Sequence, residues 1–260
     1  MNPLQRAVIE KVGHEYGFEN ILPDEREAVC LGSARHRAKV CIAQQSDLFN
    51  VDFSSIVAGQ LSAELARSFP AIERKDNAFI ADSLDELAQL LRRAAALAQA
   101  LPSQVADDFE AQVNKELELF PSALTQGTEV ERLVRQRVGQ QSFRQAMMEY
   151  WGGACAVTGV ALPEVLRASH AKPWAECVSD AERLDVFNGF LLSANLDALF
   201  DRFLITFSDV GEIIVSPIIS MATQKSLGID KLLRVRWMAP EHGPYLQYHR
   251  ARFFALNESA

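Results

Sequence analysis

Residues 188–204 read NGFLLSANLDALFDRFL, an extended apolar run that passes directly into a helical pattern. The run at residues 190–192 is short and apolar, as is typical of a buried strand. In the second part, apolar residues recur at helical spacing on one side of the helix: Leu196, Leu199, Phe200 and Phe203. With no loop between the two parts, the segment predicts a strand joined directly to a helix.

Two carboxylates follow the strand on the predicted helix. Asp197 and Asp201 are four residues apart, and residues at this spacing share a helix face. Like charges at this spacing repel each other unless a counter-charge lies between them. A hard divalent cation would supply that charge, although Asp197 could instead cap the helix and Asp201 could pair with Arg202 at the surface.

A histidine lies upstream in LRASHAKPWAEC, residues 166–177. The residues before it form a β-type run, so His170 stands at the end of a predicted strand. Asn188 begins the next strand after a polar loop. A single histidine is more often structural than catalytic, and Asn188 before Gly189 is by itself typical of a turn.

Together these segments resemble the HNH nuclease motif, a ββα-metal finger. Five words occur in the expected order: CAVTG, ASHAKPW, ERLDVFNGFLLS, LDALFDRFLITF and YHRARF. They resemble the bacterial HNH endonuclease family of restriction-type and other DNA-cleaving proteins. The resemblance covers roughly residues 131–254, about half the chain. It implies an endodeoxyribonuclease that hydrolyses DNA phosphodiester bonds, with a role in restriction or anti-phage defence.

The resemblance also implies roles for individual residues. His170 matches the general base that activates water, and Asn188 matches the asparagine that braces the loop between the strands. Asp197 and Asp201 match the metal ligands on the helix, so the motif here reads H-N-D rather than H-N-H. Ser169 stands where related nucleases often carry another His or Asp ligand, which leaves the first-strand ligand open.

The residue types suit the implied chemistry. A neutral histidine can take a proton from water near neutral pH. Carboxylate ligands favour Mg²⁺ or Mn²⁺ over Zn²⁺. Arg167, Lys172 and His249 are candidate phosphate contacts beside the motif, as is Arg183. A solvated basic face, or a structural role for His249, would explain these residues equally well.

Composition sets the remaining expectations. The net charge is −8, of which residues 1–126 carry −7, so the N-terminal region argues mildly against direct phosphate binding. The four cysteines form no CxxC pair, and no targeting segment or apolar run of about 20 residues is present. We therefore expect a cytoplasmic protein that does not span a membrane and whose cysteine usage suits a reducing compartment.

The whole sequence predicts an α+β protein of two domains. Residues 1–125 would form a small mixed domain with a recognition, dimerisation or regulatory role, and residues 121–127, at its C-terminal boundary, would form a linker. Residues 128–260 would form the nuclease domain. The N-terminal region should contain a helix capped by Asn2, three antiparallel strands between residues 28 and 53, and a helix capped by Ser83.

DNA is the expected partner, and a homodimer is attractive because a duplex has two strands to cut. Two other functions stay open at this stage. One is an HNH-fold module that binds DNA but has lost catalysis. The other is a nuclease effector that acts on many sequences under the control of a partner.

Overall fold

The computed structural model describes residues 1–23, 28–57, 59–120, 129–230 and 232–257. They form two compact units, Met1–Gln104 and Val105–Ala260. Both contain helices and strands, so the predicted α+β class is confirmed. The predicted linker at residues 121–127 lies outside the described residues. None of the described helices is both long and apolar enough to cross a bilayer.

The first unit is a six-stranded antiparallel sheet packed against helices. Its strands are β1 (Asn20–Leu22), β2 (Val29–Gly32), β3 (Lys39–Gln45), β4 (Leu48–Ser54), β5 (Glu73–Lys75) and β6 (Ala78–Ala81). They are arranged in the order β1-β2-β3-β4-β6-β5. Along β4, Phe49, Val51 and Phe53 are buried while the residues between them are exposed. One sheet face therefore carries the core and the other faces solvent.

Three helices complete this unit: α1 (Pro3–Glu15), α2 (Gln60–Ser68) and α3 (Leu84–Ala100). Asn2 caps α1 and Ser83 caps α3 through side-chain hydrogen bonds, as the sequence predicts. The helix α2 and the strands β1, β5 and β6 are additions to the predicted set. The core lies between α3 and the sheet, where Leu87, Leu90 and Leu91 are fully buried.

Two of the four cysteines are paired in the first unit. Cys30 and Cys41 lie opposite each other on β2 and β3 and form a disulfide. Disulfides persist in oxidising compartments and are rare in the reducing cytosol. The cysteine argument for a reducing compartment does not extend to this pair, and the cytoplasmic location stays a prediction; Cys155 and Cys177 are free and buried.

The second unit contains six helices and two antiparallel strand pairs within the described residues. The helices are α4 (Pro102–Leu117), α5 (Glu129–Tyr150), α6 (Asp180–Leu184), α7 (Ala194–Phe200), α8 (Met221–Ser226) and α9 (His242–Asn257). The strands are β7 (Leu166–His170), β8 (Gly189–Ser193), β9 (Ile205–Phe207) and β10 (Ile213–Val215). β7 pairs with β8, and β9 pairs with β10.

Most of α4 belongs to this second unit rather than to the first. Phe109 on α4 lies next to Gly139 on α5. Glu110 and Glu116 form ion pairs with Arg135 and Arg137 of α5. Because these contacts join α4 to α5, the division falls at Gln104 and not near residue 125.

The strands β7 and β8 and the helix α7 form a ββα arrangement with a close backbone contact at its base. His170 pairs with Gly189, and a Cβ atom at Gly189 would lie 2.0 Å from the carbonyl oxygen of Ser169. Only glycine can occupy this position without moving β7. The close contact places the end of β7 beside Asn188.

Candidate active site

A cavity of about 290 Å³ lies where β7, α7 and α9 meet. It is lined by Ala168, His170, Pro173, Trp174, Asp201, Phe203 and His249. Three residues that the sequence analysis selected, His170, Asp201 and His249, therefore share one cavity although they are far apart in the chain. Ligand pockets range upward from about 300 Å³, so this cavity is at the small end of that range.

The His170 ring contacts two aromatic rings and is hydrogen-bonded at one nitrogen. It stacks on Phe143 of α5 with ring centroids 3.8 Å apart, and Trp174 meets it edge-on at 5.7 Å. Its Nε2 atom lies 2.8 Å from the carbonyl oxygen of Arg183. A carbonyl oxygen only accepts hydrogen bonds, so Nε2 carries the hydrogen and Nδ1 carries the lone pair.

Burial keeps this imidazole neutral. It lowers the pKa of His170 to about 4, although the hydrogen bond to Arg183 acts in the opposite direction. At neutral pH the ring is therefore uncharged, with an Nδ1 atom that can accept a proton. This is the protonation state that a general base needs before reaction.

Asn188 is fully buried and connects three parts of the loop between β7 and β8. Its Oδ1 atom accepts a hydrogen bond from the Lys172 amide at 2.8 Å. Its Nδ2 atom donates to the carbonyl oxygens of Lys172 and Glu182, at 3.3 and 3.0 Å, and to the Cys177 sulfur at 3.4 Å. Because Glu182 and Arg183 are neighbours, the same loop segment that Asn188 holds also carries the carbonyl group that orients His170.

We expect Asn188→Ala to destabilise the second unit by about 2 to 4 kcal/mol, since it leaves several buried polar partners unsatisfied. Urea unfolding would measure the loss. Asn50→Ala is the matched control, because Asn50 is exposed on β4. A shift no larger than that of the control would show that the loop is held by its other contacts.

Asp197 on α7 lies close to Ser169, and Asp201, the residue after α7, is near enough to Asp197 to feel its charge. The Ser169 hydroxyl donates a hydrogen bond to Asp197 Oδ1 at 2.5 Å. Asp201 is exposed to solvent on one side. Partial burial and then the Asp197 charge raise the pKa of Asp201 to about 6, whereas Arg202 lowers it. The pair is thus a site where positive charge would be stabilised.

This donor set fits a hard divalent cation, although it is small. In the part of the chain that the structure describes, no group of three or more His, Cys, Asp or Glu side chains could hold a metal ion. Two carboxylates and a hydroxyl supply oxygen atoms alone. Mg²⁺ is commonly held by one or two carboxylates and completes its coordination with water and phosphate oxygens.

The predicted basic contacts are largely engaged within the chain. The Lys172 ammonium lies 2.6 Å from a Glu182 carboxylate oxygen. Arg167 donates to the carbonyl oxygens of Glu164 and Leu166. Arg183 donates to the carbonyl oxygens of Trp174 and Cys177 and pairs with Asp180. A phosphate would have to compete with these internal partners.

Arg202 is a cation that the sequence analysis treated only as a partner for Asp201. It is exposed at the end of α7, and it forms no ion pair with a residue in the described ranges. It also influences the Asp201 carboxylate electrostatically. Its position next to a predicted metal ligand is the feature of the sequence that singles it out.

His249 is buried, and both of its ring nitrogens are bonded within the chain. Nε2 lies 3.0 Å from the carbonyl oxygen of Phe200, and Nδ1 lies 2.9 Å from the Thr206 hydroxyl. The ring also stacks on Phe200 with centroids 3.8 Å apart. These contacts join α9 to the end of α7, immediately before Asp201. A phosphate contact by His249 would require one of these bonds to break.

The stability of the second unit should depend on pH because His249 is buried in neutral form. Burial lowers the pKa of His249 from 6.5 to about 4, so the unfolded chain binds the proton more readily in this range. The His249 contribution to the free energy of unfolding should fall by about 3 kcal/mol between pH 6.5 and 4. Urea unfolding at several pH values would measure this slope.

His249→Gln is the informative comparison for this slope. A glutamine amide can donate to Phe200 and accept from Thr206, but it does not titrate. The variant should therefore lose the His249 part of the pH dependence and keep the part that comes from the other shifted groups, among them His170 and Asp201. An unchanged slope would assign the whole effect to other groups.

A comparison with known protein families matches the segment of the chain that carries these residues. Residues 155–208 match a family model described as HNH endonuclease. The matched segment contains β7, β8, α7 and β9, and with them His170, Asn188, Asp197 and Asp201. The resemblance predicted from the sequence is confirmed for this segment. A search of curated proteins found no match.

Proposed function

We propose that this chain, whose residues 155–208 match the HNH endonuclease family, is a divalent-metal-dependent endonuclease that hydrolyses DNA phosphodiester bonds. The observation that carries the proposal is the shared cavity of His170 and Asp201. It places a neutral imidazole with a defined tautomer beside a carboxylate that sits next to a second carboxylate. These are the groups that hydrolysis of a phosphodiester requires.

In this mechanism His170 acts as the general base. Its Nε2 atom stays bonded to the Arg183 carbonyl group, so Nδ1 takes the proton from the attacking water. Asn188 keeps the Arg183 segment in place and thereby orients the ring. Protonation would leave an imidazolium ion in an apolar site, which favours return of the proton after the bond is cut.

Asp197 and Asp201 would hold the cation, with Ser169 orienting Asp197 through its hydroxyl group. When bound, a divalent cation neutralises charge on the phosphate and on the leaving oxygen. The all-oxygen donor set supports Mg²⁺ or Mn²⁺ over Zn²⁺. Arg202 would contact the phosphate from the end of α7. We assign it this role ahead of Lys172 and Arg167, whose side chains have internal partners.

Cleavage of supercoiled plasmid by the full chain tests the proposal. We expect nicked and linear products with Mg²⁺ or Mn²⁺, and none with EDTA. DNA binding without cleavage under any metal would instead support a binding module that has lost catalysis. Discrete fragments on a longer duplex support sequence-selective cutting, whereas a continuous smear supports a non-specific effector.

We also propose that the protein acts as a homodimer in restriction or anti-phage defence. The dimer is supported by the need to cut two strands, and the defence role rests on the family resemblance alone. Light scattering of the purified chain, with and without duplex DNA, would measure the oligomeric state. A monomer under both conditions would contradict the dimer and would leave nicking as the expected product.

A further inference from the structure

Phe203 occupies a backbone position where glycine is the usual residue. Its amide donates to the Phe200 carbonyl group at 2.9 Å, and the next amide, Leu204, donates to Leu199 at 2.8 Å. This pair of bonds is the Schellman pattern that ends a helix, and its key residue adopts the left-handed conformation. Phe203 does so with φ of 55°. A residue with a Cβ atom is disfavoured there by steric contact with its own backbone.

The strained position lies at the wall of the candidate active site. Phe203 lines the same cavity as His170 and Asp201, together with three apolar neighbours, Ala168, Pro173 and Trp174. Residues held in sparsely populated backbone conformations cluster at functional sites. The cavity therefore combines catalytic polar groups with a wall that contains two aromatic side chains.

This wall carries no charged side chain, so it offers a phosphate no counter-charge. It fits the flat face of a nucleobase, because bases stack on aromatic side chains whatever their sequence. The cavity is also concave and small, so it suits one base that has left its stack rather than the regular surface of a duplex.

We infer that Phe203 stacks against an unpaired base next to the phosphodiester that is cut, so that the site prefers single-stranded or locally opened DNA. This inference rests on the proposed function. The competing explanation is packing alone, because the Phe203 ring also lies 4.8 Å from the His249 ring. Stacking predicts that DNA affinity depends on an aromatic ring at position 203. Packing alone predicts that DNA affinity depends on the stability of the protein.

Four full-length proteins separate these explanations. All carry His170→Ala so that the labelled DNA is not cut during the binding measurement. One has Phe203 unchanged, and the others carry Phe203→Tyr, Phe203→Ala or Phe203→Gly. Fluorescence anisotropy with Mn²⁺ would measure their affinity for a labelled single strand of mixed sequence and for its duplex. Thermal unfolding of each protein gives the stability order.

The inference predicts that affinity follows the ring. The Phe and Tyr proteins should bind the single strand alike, whereas the Ala and Gly proteins should both bind it about 5- to 150-fold more weakly. Duplex affinity should change less. The Gly protein should nevertheless melt above the Ala protein, because glycine adopts the left-handed conformation without steric cost.

Two results would overturn the inference. Affinity that falls in step with melting temperature, with the Gly protein binding better than the Ala protein, would assign Phe203 to packing. Equal losses for duplex and single strand would remove the preference for an unpaired base. Plasmid cleavage by the wild-type chain, measured in parallel, shows whether the proposed function itself holds when either result is obtained.

Discussion

His170→Ala should reduce metal-dependent nicking of supercoiled plasmid by about 10²- to 10⁴-fold, the usual contribution of a general base. The expectation follows from the Nδ1 lone pair, which the hydrogen bond between Nε2 and the Arg183 carbonyl group leaves available. Removing the ring removes the proton acceptor but leaves Asp197 and Asp201 in place. Binding of Mn²⁺ should therefore change little while the rate falls.

Loss of folding must be separated from loss of the base, since His170 stacks on Phe143. Thermal unfolding of the variant provides this check, and His170→Gln provides a second variant that keeps a polar side chain. His14→Ala is the matched control, because His14 is an exposed histidine on α1. Cleavage by His170→Ala at the wild-type rate would rule out His170 as the base.

The double substitution Asp197→Asn with Asp201→Asn should weaken Mn²⁺ binding by more than about 100-fold and should abolish cleavage. Loss of groups that merely orient metal ligands costs 10- to 100-fold in affinity, so loss of two ligands should cost more. Titration calorimetry with Mn²⁺ would measure the affinity without any DNA. The measurement thus tests the metal site independently of activity.

The same double substitution should not reduce the thermal stability of the metal-free protein. Burial and then the Asp197 charge raise the pKa of Asp201, as expected for two carboxylates that repel each other when no cation lies between them. The double variant should therefore melt at or above the wild-type temperature in the absence of metal. Asp47→Asn with Asp52→Asn is the matched control, because both residues are exposed. Unchanged Mn²⁺ affinity in the double variant would refute the assignment of these ligands.

Local signals in the sequence were sufficient for the elements that carry caps or clear periodicity. Asn2 and Ser83 identify the starts of α1 and α3, and alternation identifies β4. The helix α2 was missed because its N-cap is Gly59, which has no capping side chain. The β5–β6 hairpin did carry a signal in the sequence, the Asp76-Asn77 pair. Both residue types tolerate the positive φ that they adopt in this two-residue turn.

In the candidate site too, the sequence indicates some of the roles, and the others are visible only in the structure. The resemblance to the HNH motif selected His170, Asn188, Asp197 and Asp201, and the four-residue spacing of the two aspartates supported that choice. Spacing could not show that both His249 nitrogens are bonded to groups more than 40 residues away. Nor could it show that Arg183 contributes its carbonyl oxygen to the site rather than its guanidinium. Such roles depend on long-range packing.

The hydrogen bonds of the Asn188 side chain have a consequence for where the sequence can accept insertions. This side chain fixes the loop between the strands at Lys172, Cys177 and Glu182, and it makes no hydrogen bond to the residues between Cys177 and Glu182. That segment contains Val178, which is 86% exposed. Loop closure becomes costlier only slowly with length, so extra residues at this point should be tolerated. The loop is thus a place where new contacts to a substrate can be added while the catalytic groups stay where they are.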